Sequence, residues 1–271
     1  LVEAALRDGF GEIDRSLAKA SFPLLKLRAG DRYFTEQATQ DLDVDLLHGG
    51  FLRQAKQRGA ELVVRCEVAG GRQDDGTWLL RTSKGEIAAP IVVNAAGAWA
   101  DVVAARLGVP PIGLTPKRRS MAVVPAPAGH EVMGWPQFYP ADEAFYCKPA
   151  GGRLMISPAD ADPVEPHDAF ADDLRVAEAI AAFEELVDYQ VTRVERSWGG
   201  LRTFAPDGEF VVGFDPVAGG LFWLAGQGGY GIQTSPATGR LAAALVDGTP
   251  IAADLAAEGV RTEALSPARF R

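Results

Sequence analysis

The sequence predicts a mixed α/β chain in which α/β units are interrupted by a β-rich, mainly antiparallel region. Three observations predict it. An apolar strand from Leu221 to Ala225 runs into the turn Gly226-Gln-Gly-Gly-Tyr-Gly231 and then a helix from Ile232 to Val246. A second apolar run, Ile91-Val-Val-Asn94, enters a turn of small residues and a helix reaching Leu107. From Pro110 the texture changes to short strand-like runs separated by proline and glycine, the pattern of an antiparallel sheet.

Taken in order, Leu1-Val-Glu-Ala-Ala-Leu-Arg7 reads as the interior of a helix without an initiator methionine, so the chain is expected to be a piece of a longer protein. Asp43-Val-Asp45 precedes a helix over 46–58, with Leu47, Phe51, Leu52 and Ala55 at helical spacing and Gly59 as its stop. The run Glu61-Leu-Val-Val-Arg-Cys-Glu-Val68 predicts a strand over 60–68, followed by a glycine-rich loop over 70–76, a short strand over 78–82 and a turn at Gly85. In the middle region, strands are predicted over 119–124, 143–148 and 153–157, a helix over 171–187 and a strand over 191–198. That last strand leads into Gly200-Leu-Arg-Thr-Phe-Ala-Pro-Asp-Gly208. The chain shows neither internal repeats nor a low-complexity tract.

Composition narrows the function classes. With 271 residues, 47% of them hydrophobic and 23% charged, the chain can bury a substantial core. A net charge of -9 argues against general affinity for nucleic acid or anionic membrane, which would meet like charge. Cys66 and Cys147 stand far apart, so no disulfide framework or thiolate zinc site is expected and a reducing cytoplasm fits. His48, His130 and His167 are isolated, and no metal site is predicted. No apolar run reaches the roughly 18 residues of a membrane span, and no basic, hydrophobic leader opens the sequence, so a chain neither spanning nor exported is predicted.

The chemistry is expected where glycine turns meet helix N-termini. A glycine turn lets backbone N–H groups approach an anion closely, and the helix dipole adds to the attraction. Gly226, Gly228 and Gly231 satisfy G-x-G-x-x-G, the dinucleotide fingerprint. That fingerprint requires a further parallel strand ending in an acidic residue about 20 residues on. Here the helix is followed by Asp247-Gly-Thr-Pro-Ile and a polar tail, so the βαβ unit is not completed and plain strand-turn-helix packing stays open beside it. At Ala95-Ala-Gly-Ala98, ligand contact and close helix-sheet packing are equally open. Pro206-Asp-Gly208 reads as a turn, which makes Asp207 a turn residue rather than a general base.

The ordered motifs carry a resemblance. Val92-Val-Asn-Ala-Ala-Gly-Ala-Trp-Ala-Asp101, Pro116-Lys-Arg-Arg119, Gly200-Leu-Arg202 with Pro206-Asp-Gly208, and Gly226 to Gly231 with Pro236-Ala-Thr-Gly-Arg240 resemble the FAD-dependent amino acid oxidase (DAO) family. Phe214-Asp-Pro216, Leu221-Phe-Trp223 and Leu265-Ser-Pro-Ala-Arg269 are similar to its D-arginine dehydrogenase-like subgroup. The resemblance implies a Rossmann-like FAD/NAD(P)-binding domain interleaved with a mainly antiparallel β substrate domain. Residues 1–42 would form an N-terminal helical part of the substrate domain, 43–108 and 200–271 parts of the FAD domain, and 109–199 the β-rich substrate region. The family's N-terminal βαβ unit has no counterpart in the sequence.

By the same resemblance Arg119, Arg202 and Tyr146 would hold a substrate carboxylate, and Gln137 and Tyr139 would line the side-chain pocket together with Gly229. Because successive strand residues face opposite sides, Arg118 is expected to be the outward neighbour of Arg119. Val68 would contact the adenine side of FAD, and Gly97 and Trp99 would lie near its pyrophosphate and flavin. Gly229, Tyr230, Gly231, Ile232 and Gln233 would set a helix N-terminus at the flavin edge. Arginine suits such a clamp because its planar fork fixes a carboxylate in orientation as well as charge. The implied activity is oxidation of a D-amino acid to an imino acid, hence a 2-oxo acid and ammonia, with the electron acceptor left open. Glycine, sarcosine or another family substrate is the alternative, as is a chain that holds no flavin and acts as a binding domain.

Overall fold

The structure, a computed structural model, describes residues 9–271; the predicted N-terminal helix lies outside the described residues. In chain order the elements are β1 (Gly11–Ile13), α1 (Arg15–Ser21), β2 (Tyr33–Thr35), α2 (Val44–Gln57), β3 (Val68–Asp74), β4 (Thr77–Thr82), β5 (Gly85–Ala89), β6 (Val92–Asn94), a 3-10 turn Gly97–Trp99, and α3 (Ala100–Arg106). There follow β7 (Thr115–Val124), β8 (Tyr146–Ala150), β9 (Arg153–Ser157), α4 (Asp173–Leu186), β10 (Arg196–Phe204), β11 (Val211–Phe214) and β12 (Leu221–Ala225). The chain closes with α5 (Gly231–Asp247), α6 (Ala253–Ala257), α7 (Thr262–Leu265) and a 3-10 turn Pro267–Phe270. It is a mixed α/β protein with largely antiparallel sheets.

The chain divides into two compact units. Among the described residues the first comprises 9–40, 118–163 and 167–201; the second comprises 41–117, 164–166 and 202–271. The first is built around the sheet ordered β10-β7-β9-β8. Ala122 pairs with Ile156 and Ile156 with Cys147, so these side chains share one face. That face meets α4: Val124, Leu154, Ile156, Cys147 and Phe145 pack with Ala179 and Phe183 in one buried cluster. Asp172 caps α4 by accepting from the N–H groups of Leu174 and Arg175.

The second unit is organised by the sheet β11-β12-β6. β12 runs parallel to β6, with Trp223 opposite Asn94, and antiparallel to β11. Alternation along β12 divides the core. Leu221, Trp223 and Ala225 join Trp78, Ala100 and Ala104 on one side, whereas Phe222 joins Val212 and Leu241 of α5 on the other. Buried Asp215 ties the β11–β12 turn by accepting from the N–H groups of Val217 and Ala218, from Trp223 Nε1 at 3.0 Å and from Arg271 at 2.8 Å. Burial raises its carboxyl, but the Arg271, backbone and Trp223 donors together outweigh that and hold it below the usual range.

Several expectations change. Residues 60–67 form no strand: Leu62, Val63 and Val64 have the right propensity but are exposed and lack a paired neighbour among the described residues. The loop expected over 70–76 is largely strand β3, because Gly71 sits where an added Cβ would meet Leu107 Cδ2 at 2.7 Å; these glycines serve close packing rather than a turn. The strand expected over 191–198 is displaced to Arg196–Phe204, carrying the Gly200 segment inside it, and the polar tail after α5 contains α6 and α7. Helix α2 forms as its spacing predicts, with Asp43 accepting from Leu46 N–H and Gly59 in the left-handed region, yet none of its residues is buried.

Candidate functional site

In the first unit the pleat sorts the side chains of β7. Arg118, Ser120, Ala122 and Val124 alternate with Arg119, Met121 and Val123, and the Ala122 row is the one packed under α4. Arg119 therefore belongs to the face turned away from the helix. Tyr146 joins it there: its ring centroid lies 6.0 Å from the Arg119 guanidinium carbon and its hydroxyl donates to Met121 Sδ at 3.2 Å. Phe138 bridges Cys147 through backbone hydrogen bonds, with its ring packed against Phe22 and Phe145, so Gln137 and Tyr139 alternate onto the same side as Tyr146. Both are exposed, and burial, followed by the charge of Glu143, raises the Tyr139 phenol. Cys147 points into the core, where burial pushes its thiol up to about 12.

Arg119 is held in a specific way. Its Nε donates to the Asp160 carbonyl at 2.7 Å, the one hydrogen bond of this guanidinium among the described residues, which leaves the two Nη groups as its presenting end. Arg118 is not an outward, solvated neighbour. Strand alternation sends it to the helix side, where it bonds Asp172 at 2.6 Å and lies 3.5 and 3.6 Å from carboxylate oxygens of Asp160 and Asp162. The backbone N–H of Arg175, which donates to Asp172 at 3.1 Å, and then the Arg118 charge keep the Asp172 carboxyl below its ordinary range.

In the second unit the turns after two parallel strands define another cluster. β6 and β12 run side by side in register, so the Gly97–Trp99 turn and the Gly226-to-Tyr230 turn both follow the carboxyl ends of one sheet, the usual ligand edge of a parallel arrangement. Trp99 is exposed there. Val68 begins β3, and its carbonyl accepts from Arg106 at 2.8 Å. Residues 202–204 at the end of β10 lie along the glycine turn: Phe204 bridges Gln227, and Gly228 N–H donates to the Thr203 carbonyl at 2.8 Å.

Side chains are excluded from this turn by geometry. Gly228 has φ +52, and a Cβ on it would stand 2.7 Å from the Phe204 ring, itself faced by Lys117 Nζ at 4.8 Å from its centroid. A Cβ on Gly229 would stand 3.1 Å from Arg202 Nη1, so the guanidinium rests directly against turn backbone. From Gly231 the chain continues as the 17-residue helix α5, with Tyr230 at its N-cap and no side-chain cap among the described residues. Tyr230 and Ile232 are exposed. A bare glycine backbone, an uncapped helix N-terminus and an adjacent guanidinium form a cradle suited to the electron-rich edge of a planar anionic cofactor.

Asp207, weighed as a base, is a turn residue. It accepts from Glu209 N–H at 3.1 Å and is gripped by Arg269 through bonds of 2.6 and 3.2 Å. The Arg269 hydrogen bond is the main reason its carboxyl sits below the ordinary range. Residues that the motifs did not single out also belong to these clusters: Asp160, Ser120 and Met121 around Arg119, and Phe204 under the glycine turn. Only the ring beside Gly228 left a trace in the sequence, as the need for glycine; the Asp160 contact arises from strand pairing.

Among the described residues no group of His, Cys, Asp and Glu is placed to hold a metal ion, and no helix is long and apolar enough to cross a membrane. The profile of the FAD dependent oxidoreductase (DAO) family matches residues 2–245. Glycine oxidase of Geobacillus kaustophilus (strain HTA426) is 32% identical over 203 residues, covering 74% of this chain and 52% of that protein. Mitochondrial sarcosine dehydrogenase of Mus musculus is 26% identical over 251 residues, covering 86% of this chain and 27% of that one. The crystal structure of glycine oxidase from Geobacillus kaustophilus superposes with a TM-score of 0.76 at 28% identity over 92% of this chain and 65% of its own. The chain thus spans about half the length of the glycine oxidase sequence it matches.

Proposed function

Because this chain belongs to the FAD-dependent oxidoreductase (DAO) family, whose cofactor is FAD, we propose that it serves the oxidation of an amino acid at the carbon bearing its amine. The observation that carries this reading is the Arg202 guanidinium lying against the backbone of Gly229 at the entry to α5. A guanidinium, a group suited to a carboxylate, beside a turn suited to the cofactor supports a common location for substrate anchoring and electron transfer.

Bound FAD supplies a two-electron acceptor for hydride. The chain's own residues do the rest. Gly229, Tyr230, Gly231, Ile232 and Gln233 offer backbone and a helix N-terminus to the flavin, with Gly97, Trp99 and Val68 toward its other end. Arg202 offers a fork for the substrate carboxylate at the glycine turn, and Arg119, with the Tyr146 hydroxyl on the same strand face, offers the same chemistry within the first unit. The substrate amine gives up a proton to solvent, the Cα–H leaves with its electron pair, and a C=N bond forms; water then adds and ammonia departs, leaving a 2-oxo acid. Hydrogen leaving as hydride requires no base at carbon, which suits an Asp207 committed to Arg269.

For the substrate, resemblance to D-arginine dehydrogenase-like enzymes supports a D-amino acid, basic or of broad range, while the likeness to proteins named glycine oxidase and sarcosine dehydrogenase supports glycine or an N-methylated glycine. Gln137 and Tyr139 would then meet the side chain together with Gly229. Two unpaired cysteines, one exposed in part and one buried, suit a reducing cytoplasm. The test is the FAD-loaded protein given glycine, sarcosine and a series of D- and L-amino acids, with ammonia and 2-oxo acid measured. Turnover of carboxylate-bearing amines, and none of the corresponding amines without carboxylate, is expected. A protein without visible flavin absorbance after loading, or one indifferent to the carboxylate, would sink the reading.

A further inference from the structure

We propose that Asp160 is a positioning residue that sets the direction of Arg119, acting through its own backbone carbonyl. This rests on the reading of Arg119 as a carboxylate binder. A guanidinium anchored only by side-chain packing swings about four torsions; one whose Nε is fixed presents its Nη pair in a defined plane. Here the fixing group is the Asp160 carbonyl, 2.7 Å from Nε, so the direction of Arg119 is inherited from the turn that holds that carbonyl.

That turn is locked from several sides. The Asp160 side chain is buried, at 8% exposure, and its carboxylate accepts from Ser120 N–H at 2.6 Å and from Ser120 Oγ at 2.8 Å. Ser120 is the strand neighbour of Arg119, so the carboxylate ties the turn to the strand that bears the guanidinium. Ala159, next in the turn, takes a φ of 53°, a left-handed conformation unusual for a residue with a side chain. Its N–H donates to Ser157 Oγ at 3.2 Å, and that hydroxyl donates to the Ser120 carbonyl at 2.7 Å. Ser120 Oγ also accepts from Asp172 N–H at 3.0 Å, linking the same lock to the cap of α4. Arg118, 3.5 Å from the Asp160 carboxylate, balances the charge that this burial would otherwise penalise.

A left-handed alanine and a buried carboxylate spent on the backbone N–H and hydroxyl of one serine are costly features to keep. Their shared consequence is a carbonyl aimed at Arg119. Asp160 touches no substrate in this arrangement; its effect passes through the guanidinium.

The test follows the Arg119 Nε–H resonance of the 15N-labelled protein, assigned by its loss in Arg119→Gln, together with acetate titration and steady-state kinetics of the FAD-loaded protein. In Asp160→Asn and in Ser120→Ala, solvent exchange of that resonance and the dissociation constant of acetate should each rise about tenfold, with KM following and kcat changing less than about threefold. Asp162→Asn also removes a carboxylate near Arg118 but leaves the turn intact, and should match the parent protein. Unchanged exchange in both Asp160→Asn and Ser120→Ala overturns the proposal; if Asp160→Asn does not fold, Ser120→Ala decides alone. If Arg119→Gln binds acetate as the parent does, the carboxylate reading of Arg119 fails, while the exchange data still judge whether Asp160 positions it.

Discussion

Arg119 and Arg202 are held by opposite means. Arg119 is fixed by what surrounds it: a carbonyl, a buried carboxylate, two serines and a strained alanine. Beside Arg202 the chain instead makes room: a Cβ on Gly229 would stand 3.1 Å from its Nη1, so glycine there leaves the guanidinium its place next to the turn. The first arrangement runs through one carbonyl, so loss of a member that holds the Asp160 turn loosens the guanidinium. The second is least tolerant at Gly228, where an added Cβ would stand 2.7 Å from the Phe204 ring, and leaves a little more room at Gly229.

The sharpest way to break this contrast is at the guanidinium itself. Arg202→Lys keeps the charge but loses the fork, and kcat/KM for an amino acid should fall on the order of a thousandfold, measured by initial rates on the FAD-loaded protein. Arg119→Lys should cost less, about a hundredfold, if the Tyr146 hydroxyl on the same strand face shares the carboxylate as proposed. If both arginines bind one carboxylate, the double variant will be far from additive. Additive losses would mean that they serve different groups.

Glycine substitutions come next. Gly228→Ala adds strain at φ +52 and a methyl 2.7 Å from the Phe204 ring, and should cost about 2–4 kcal/mol of stability in urea unfolding. Gly229→Ala asks Arg202 to yield only a few tenths of an ångström from 3.1 Å, so stability should hold while KM rises about tenfold. Equal damage from the two substitutions would erase the distinction between a turn that needs its backbone conformation and one that needs room for the guanidinium.

Acidity separates the units more gently. Asp172 in one and Asp207 in the other both have carboxyls lowered below 3.8, chiefly by Arg175 backbone N–H in the first case and by Arg269 in the second. A lowered folded pKa contributes stability above the unfolded value and loses it as pH falls through the folded one. Asp172→Asn and Asp207→Asn should therefore each lower the midpoint of urea unfolding at pH 7, and the gap to the parent should close as pH falls through the folded carboxyl's lowered range. A gap that persists at low pH would assign the loss to geometry rather than charge.

Local signals were legible where they were self-contained. The strand at Leu221–Ala225, helix α5, the α2 start at Asp43 and the turn role of Asp207 follow from periodicity, caps and glycine placement within a few residues. Signals that depend on a partner misled. Leu62-Val-Val64 has strand composition without a paired strand, and Gly70-Gly71 has turn composition but lies in β3, because packing on Leu107 set the need for glycine. At the candidate site the residue types were readable, arginine beside tyrosine and glycine before a helix. The Asp160 lock was not, since it joins strands 40 positions apart and no spacing rule encodes that.

The smallest expected effect compares two thiols. Cys147 faces the α4 side of its sheet, fully buried, and burial has raised its thiol to about 12, so at pH 8 it carries almost no thiolate. Tyr146, one residue away, faces the opposite side, so the strand itself separates the proposed substrate-binding face from the buried one. Cys66, partly exposed, has no such barrier. Iodoacetamide at pH 8 should therefore label Cys66 and spare Cys147 in the folded protein, as read by peptide mass spectrometry, with both labelled in urea. Native labelling of Cys147 would show that the β8 strand opens, and would place the mobility next to Tyr146 rather than at the glycine turn.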